Sequence, residues 1–363
     1  MTDTEVIPEP MLQDVRRQPH VLRDLAGRVG EIAEFHAEHL AGGTGRTVAF
    51  GSGDGWFAAR SATTGTLLAA SGLEIAGDAG PEMGPGDGGI AISMSGNVDR
   101  TVEAAERLLA RGARVTALTN GGGGRLGALG LPCFALHLSD IAPFLCGTSS
   151  FLTTRTVLDA FAALARGDEP ARIARVIEAT ADTIQAILPR AEVLATEIAA
   201  DRATAPAIRF LSCGTRGMAI ADYGAAKLVE LCATPSWTDD VEEFAHRQYW
   251  TMQRGELMTM LPTTPVVAEI ASESAKALKA MDVKSLWVAP DDLPTHEAAW
   301  SLTYKDNGCH RESVAAVPLQ LLAYHVSLQT GFDPNRRLHL KQDEVRFNTS
   351  RQLTRRSLLG TGQ

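Results

Sequence analysis

Thr47-Val48-Ala49-Phe50-Gly51-Ser52-Gly53-Asp54-Gly55-Trp56-Phe57-Ala58-Ala59 passes from a short apolar run, through a glycine- and serine-rich turn, into an alanine-rich helix expected to reach about Ala70. Strand, glycine turn, helix is the repeating unit of a parallel α/β sheet. The progression returns at Gly89-Ile90-Ala91-Ile92, which leads into Ser93-Met94-Ser95-Gly96-Asn97 and a helix over Thr101–Ala110. Val102, Ala105 and Leu109 share one face of that helix. Arg114–Leu118 and Cys133–Leu138 supply two more strands, separated by Thr119-Asn120 and four glycines that read as a flexible loop. Strands alternating with helices in this way predict a parallel α/β sheet.

The second half repeats the theme. Asp14–Leu40 is expected to be one helix, and residues Ser150–Ala200 wholly helical, with Pro170–Ala200 a spacer. Ile208–Leu211 is then a strand again, followed by Ser212-Cys213-Gly214-Thr215-Arg216-Gly217 and another alanine-rich helix. Leu257–Leu261 and Leu286–Ala289 give later strands, with a helix over Ala268–Ala280 between them and a closing helix over Ala315–Leu328. FGSGDGWFAA, from Phe50, superposes on LSCGTRGMAI, from Leu211, with Gly53 on Gly214 and Ala58 on Ala219. Either one α/β unit has been duplicated, or two βα units share only their general likeness.

Bulk properties narrow the function. With 363 residues, 45% hydrophobic and 21% charged, the chain can build one large or two medium cores. A net charge of −9 disfavours nucleic-acid binding, which needs a basic patch. The basic residues Arg351, Arg355 and Arg356 read as a solvated tail. Five cysteines at no metal-like spacing read as reduced, buried side chains of a cytoplasmic protein, with no metal implied. The opening MTDTEVIPEPMLQDV has no apolar core, so no secretory signal is expected. No stretch reaches the roughly 18 apolar residues of a membrane span.

The turns carry the chemistry. Glycines at a strand's carboxyl end let backbone approach a ligand, helix N-terminal amides point at it, and hydroxyls add donors. Gly51–Gly55, Ser93–Asn97 and Thr148-Ser149-Ser150 all have this character and predict a polar, multi-hydroxyl or phosphorylated ligand. Taken singly, any of them could be a plain tight loop. Trp56 stands where a dinucleotide fingerprint needs its third glycine, and neither a P-loop nor a nucleophile elbow occurs.

These residues resemble a known family. GSGDGWFAA followed by SMSGNVDRTVEAAERLLARGARVTALTN looks like the first half of the sugar-isomerase (SIS) domain phosphosugar isomerases. CGTRGMAIADYGAAKLVEL and EEFAHRQ resemble segments of the isomerase part of glutamine–fructose-6-phosphate aminotransferase and of its deglycase and deaminase relatives. Met11–Pro19 fits the family's opening, and no amidotransferase domain is expected ahead of it. The resemblance spans about the whole chain. It implies an α/β protein of two tandem doubly wound parallel-sheet modules, each a flavodoxin-like three-layer sandwich. The expected boundaries are an N-terminal helical segment 1–45, a first module 46–168, a linker helix 169–200, a second module 201–335 and a tail 336–363.

By resemblance, Glu230 is the carboxylate that moves a proton between C1 and C2, and His246 opens the sugar ring. Lys227 matches a lysine of the same helix, and Lys341 an active-site lysine of the closing segment. Ser93, Ser95, Gly96 and Asn97 match the phosphate cradle, with Ser52, Gly53, Asp54, Thr148, Ser149 and Ser150 as further substrate-binding positions. On residue pattern alone, Glu230 and Lys227, three apart on one helix, also suit a surface ion pair, and His246 a solvated or packed histidine. The pattern departs from the family at several points. Gly55 and Val98 stand where hydroxyls are usual, Asp54 brings negative charge, Ser149 and Tyr223 replace carboxylates, and Arg247-Gln248 follows the histidine. Arg216 or Arg247 could supply an anchoring cation instead.

The implied function is a sugar-phosphate or amino-sugar-phosphate ketose–aldose isomerase, or a related deaminase or deglycase, needing no cofactor. Its partners would be a small sugar or sugar phosphate and, as a homodimer, a second copy of itself, with neither nucleic acid nor membrane. A non-catalytic sugar-phosphate-binding protein, or a specialised enzyme for an unusual sugar, are the alternatives.

Overall fold

The computed structural model describes residues 9–142, 145–294, 298–335 and 343–354. Two five-stranded, all-parallel sheets form the frame. The first joins β1 (Thr47–Gly51), β2 (Leu67–Ser71), β3 (Gly88–Ile92), β4 (Arg114–Thr119) and β5 (Cys133–Ala135) in the order β2-β1-β3-β4-β5. The second joins β6 (Ile208–Ser212), β7 (Ser236–Asp240), β8 (Leu257–Met260), β9 (Lys284–Pro290) and β10 (Trp300–Tyr304) in the order β10-β9-β8-β6-β7. Counted within each sheet, both orders are 2-1-3-4-5. The two turns that match in sequence follow the first strand of their respective sheets, β1 and β6, so the likeness is that of a repeated module.

The cores follow from strand alternation. Val48, Phe50, Ala91, Val115 and Ala117 bury one face of the first sheet against Val102, Ala105 and Leu108 of the helix Asp99–Ala110. Met258, Met260, Trp287 and Ala289 do the same in the second sheet against Val267, Ala268, Ala271 and Ala275 of the helix Pro265–Leu278. That helix starts where Thr264 accepts a hydrogen bond from the Val267 amide and Pro265 takes the first-turn position.

By compactness the chain divides into two units. One comprises the described residues of Arg23–Leu138, Ser150–Ile177 and Leu340–Gln363, and holds the first sheet. The other comprises those of Met1–Leu22, Ser139–Ser149 and Glu178–His339, and holds the second sheet. The N-terminal helix Pro10–Arg16 is thus part of the second sheet's unit, where Met11 and Val15 are buried.

Several elements differ from expectation. The alanine-rich helix ends at Ser61, and Leu67–Ser71 is the edge strand β2. The Thr64 hydroxyl oxygen accepts from the Thr66 and Leu67 amides, turning the chain at Gly65 so that Leu67 pairs with Thr47. Here tertiary pairing overrides the helical preference of Leu-Leu-Ala-Ala. The edge strand β7, Ser-Trp-Thr-Asp-Asp, is polar and carries little apolar signal, whereas β10, Trp-Ser-Leu-Thr-Tyr, alternates apolar with hydroxyl residues and was not anticipated. The expected helix over Asp14–Leu40 is instead three, Pro10–Arg16, Gln18–Gly27 and Val29–His39. Likewise the span from Ser150 to Ala200 is broken between Ser149–Ala165 and Pro170–Arg202. Among the described residues no helix is long and apolar enough to cross a membrane.

One charged pair lies inside the second module. Arg209 of β6 donates to Glu256 at 2.5 and 3.2 Å, with their side chains 3% and 0% exposed, and to the Gln248 and Thr251 carbonyls at 3.1 Å. Glu256→Leu strands the guanidinium and is expected to cost about 3–5 kcal/mol in urea unfolding, whereas Arg209→Met/Glu256→Leu regains most of that loss.

Candidate functional site

In the first sheet's unit, the carboxyl ends of β1 and β3 lie side by side, with Gly51 registered on Ile92. Gly53 adopts φ 56° and so turns β1 into the helix Asp54–Ser61. A Cβ on Gly55 would lie 3.0 Å from Ile92 Cγ2, so the start of this helix packs closely on β3. Ser52 and Gly53 are exposed and Asp54 is half-buried.

The neighbouring turn is tightly built. Gly96 has φ 67°, and a Cβ there would collide with the Gly123 carbonyl oxygen; one on Gly124 would sit 2.5 Å from the Ser95 oxygen. The glycine run expected to be a flexible loop is therefore packed against this turn at Gly123-Gly124, because only backbone fits there. Asn97 fastens the two: its Nδ2 donates to the Ser95 carbonyl at 2.8 Å and its Oδ1 accepts from the Arg125 amide at 3.1 Å. Ser95 is exposed, and its hydroxyl oxygen accepts from the Asn97 amide at 3.2 Å. Ser93 Oγ and Thr101 Oγ1 are buried without a hydrogen-bond partner among the described residues, with Ser93 4% and Thr101 0% exposed. Leaving a hydroxyl so costs about 1–3 kcal/mol, which a bound acceptor would offset.

The second sheet's unit holds the ionisable candidates. The helix Gly214–Cys232 starts at Gly214, φ 72°, the counterpart of Gly53. On it Lys227 Nζ lies 2.7 Å from Glu230 Oε2. The lysine side chain is 1% exposed and the glutamate 30%, so the pair has one buried end and one open end. Lys227 Nζ also lies 5.2 Å from the Tyr223 ring centroid. Tyr223 is fully buried, and its hydroxyl donates to the Gly147 carbonyl at 2.7 Å. The structure thereby brings Lys227 and Glu230 together with the loop that carries Thr148 and Ser149.

That loop spends its polar groups on the protein. Thr148 Oγ1 donates to the Asp14 carboxylate, the Ser149 amide donates to it at 3.0 Å, and Ser149 Oγ donates to the Asp14 carbonyl at 2.8 Å. Thr148 and Ser149 are each 1% exposed, and Ser150 is half-buried. Asp14 is in turn bound by Arg17 at 2.8 Å. Asp14 and Tyr223 carry no site role in the sequence reading. Their signal was present in the Met11–Pro19 match and the Tyr223 departure, but hydrogen bonds spanning 134 residues from Asp14 to Thr148 and 76 from Tyr223 to Gly147 have no local pattern.

The remaining candidates lie apart from this cluster or outside the description. His246 ends the short helix Glu243–His246 with its side chain 66% exposed, 3.6 Å from a Glu242 carboxylate oxygen. Arg216 is bidentate to Glu312 at 2.8 and 3.0 Å, and Arg247 pairs with Asp239, so both cations considered as anchors already hold carboxylates. Lys341 falls outside the described residues. Burial, reinforced by Asp240, pushes the Cys213 thiol above its ordinary range, which disfavours a thiolate nucleophile there. A cavity of about 510 Å³ opens at the other end of the first sheet, beside Thr47, Leu67, Gly88 and Arg114 at the strands' amino ends. Ligands of such sheets bind at the carboxyl ends, and Arg114 there donates to the carbonyls of Leu40 and Ala41, just past the end of the helix Val29–His39.

The comparisons with known proteins agree with this frame. No family model matches the chain. A curated glutamine–fructose-6-phosphate aminotransferase (isomerizing) from Aeropyrum pernix is 25% identical, over 91% of this chain and 56% of that protein. The chain thus spans little more than half of that relative's length. Among solved structures, the C-terminal domain of glucosamine-fructose-6-phosphate aminotransferase from Francisella tularensis superposes with a TM-score of 0.74 at 16% identity, covering 91% of this chain and 98% of that one. The fold is that of the double sugar-isomerase proteins. Tagatose-6-phosphate ketose/aldose isomerase from Escherichia coli gives 0.73 at 18% identity, over 92% and 98% of the two chains. Glucosamine-6-phosphate deaminase from Thermotoga maritima gives 0.69 at 16%, over 91% and 98%. At such identities the superpositions speak for the fold, and the chemistry of this SIS-fold chain rests on its own side chains.

Gly96→Ala forces a Cβ into left-handed backbone against Gly123, and is expected to lower stability by about 2–4 kcal/mol in thermal or urea unfolding. Gly121→Ala, where a Cβ meets nothing within 4 Å, is expected to stay close to the parent.

Proposed function

We propose that this chain is a sugar-phosphate or amino-sugar-phosphate ketose–aldose isomerase, or a deaminase or deglycase of the same kind, with Glu230 as its proton shuttle. The observation that carries the reading is the asymmetry of the Lys227–Glu230 pair. A surface ion pair would expose both ends, yet here the ammonium is buried and the carboxylate keeps an open edge. A carboxylate fixed in this way can take the C2 proton of an open-chain aldose as the electron pair moves onto the C1 carbonyl oxygen to give an enediolate, and return it to C1 as the C2 hydroxyl proton passes to O1 and the C2 carbonyl forms. No metal is required for that exchange. His246 is the proposed ring-opening group, and the 25% identity to an isomerizing aminotransferase supports the substrate class.

The anion is assigned to the Ser93–Asn97 turn. Its Ser93 hydroxyl, buried and without a hydrogen-bond partner among the described residues, and the following helix Asp99–Ala110 supply donors and a favourable dipole for phosphate. Exposed Ser52, Gly53 and half-buried Asp54 edge the same strand ends. The protein is proposed to act as a cytoplasmic homodimer. A second reading, ligand sensing without turnover, draws support from Asn97, Thr148 and Ser149, whose polar groups are engaged within the protein.

The test is incubation with fructose 6-phosphate, glucosamine 6-phosphate and fructosyl-amino acid phosphates. Turnover of at least one is expected, reduced about 10²–10⁴-fold in Glu230→Gln with binding retained. Ser93→Ala is expected to weaken binding of the phosphorylated compound about tenfold, at roughly 1.4 kcal/mol per decade. Binding of every compound without turnover, unaltered by Glu230→Gln, overturns the enzyme reading in favour of the sensor.

A further inference from the structure

Resting on that reading, we propose that Tyr223 is a positioning residue, locking the Gly147–Ser149 loop to the helix of Lys227 and Glu230. The buried phenol needs partners for its polar tip. Gln320 Nε2 donates to it at 3.0 Å, so its own proton is directed to the Gly147 carbonyl at 2.7 Å. Gln320 Oε1 accepts in turn from Gln18 Nε2 at 2.5 Å. Three segments therefore meet at one hydroxyl, the helices Gly214–Cys232 and Arg311–Gln329 and the loop at Gly147, and Gln320 ties the helix Gln18–Gly27 to them one bond further on.

The same side chain acts through its ring. Lys227 follows Tyr223 by one helical turn, and its ammonium lies 5.2 Å from the ring centroid while bonding Glu230 at 2.7 Å. The next two loop residues, Thr148 and Ser149, are pinned by Asp14. Tyr223 thus fixes, through opposite ends of one rigid group, both the loop backbone and the ammonium that orients the glutamate. Small misplacement of a reacting group lowers the rate far more than it lowers affinity.

Tyr223→Phe keeps the ring under Lys227 and deletes the bond to Gly147. Tyr223→Phe/Gln320→Leu removes the amide left facing it, so that the comparison does not hinge on one variant folding. In both, kcat is expected to fall about tenfold with KM within about twofold, and the Gly147–Ser149 amides to exchange with deuterium faster than in the parent. A lower urea midpoint with kcat per folded molecule and loop exchange both unchanged would overturn the proposal, leaving Tyr223 a packing residue. The exchange measurement needs no substrate. If no sugar phosphate is turned over by the parent but the loop amides still exchange faster in both variants, the isomerase reading fails and the clamp stands; unchanged exchange overturns the clamp whatever the activity.

Discussion

Each sheet hands its first strand to its first helix through a glycine in left-handed backbone, Gly53 at φ 56° and Gly214 at φ 72°. The constraint is geometric. In a parallel sheet every strand must leave at the carboxyl edge and return over a face, and the first turn sits where the sheet order reverses. A side chain at that glycine would strain the turn, and a larger one at the following helix positions would meet the next strand or the loop that follows it. Gly55 against Ile92 shows the second limit in one module, and Gly217, whose Cβ would lie 2.6 Å from Thr263 Cγ2, shows it in the other. The small-residue signature that first suggests a ligand site is thus partly a packing requirement of the fold.

What separates the modules is what each does with the space so created. The first keeps hydroxyls and amides near its strand ends, including Ser93 Oγ, buried and unpartnered among the described residues. The second fills the equivalent edge with internally compensated charge, Arg216 against Glu312 and Arg311 against Asp306 and Asp292. An arginine in the first turn of a helix is opposed by the dipole, and Glu312, itself in the first turn of the helix Arg311–Gln329, neutralises it. A cation held that way is poorly placed to anchor a phosphate. The repeated topology has diverged into one module with hydroxyls and amides at its strand ends and one that carries the Lys227–Glu230 ion pair on its first helix.

The frame was legible in the sequence wherever apolar alternation and turn chemistry coincide, as at β1, β3, β4, β6 and β9. It was illegible at β2, where Leu-Leu-Ala-Ala favours a helix until Thr64 turns the chain, and at the polar edge β7. The candidate site divides in the same way. Lys227 and Glu230, three residues apart, could be paired by spacing alone, but the burial of one and exposure of the other could not. Thr148 and Ser149 looked like ligand hydroxyls because nothing local shows that Asp14, far off in sequence, receives both of them.

The burial of Lys227 also constrains how Glu230 can be read. An ammonium that is 1% exposed needs compensating negative charge, and Glu230 at 2.7 Å supplies it. The carboxylate therefore has a structural duty whether or not it moves a proton. Neutralising it leaves the lysine's charge poorly matched, and a drop in stability follows for a reason unrelated to turnover. Only the rate per folded molecule separates the two duties. Tyr223 matters to the same balance, because its ring face favours a cation without itself carrying charge. With a phenol rather than a carboxylate beside the ammonium, the lysine draws no competing anion from that side, and its hydrogen bond to Glu230 holds the open edge of the carboxylate in a fixed direction.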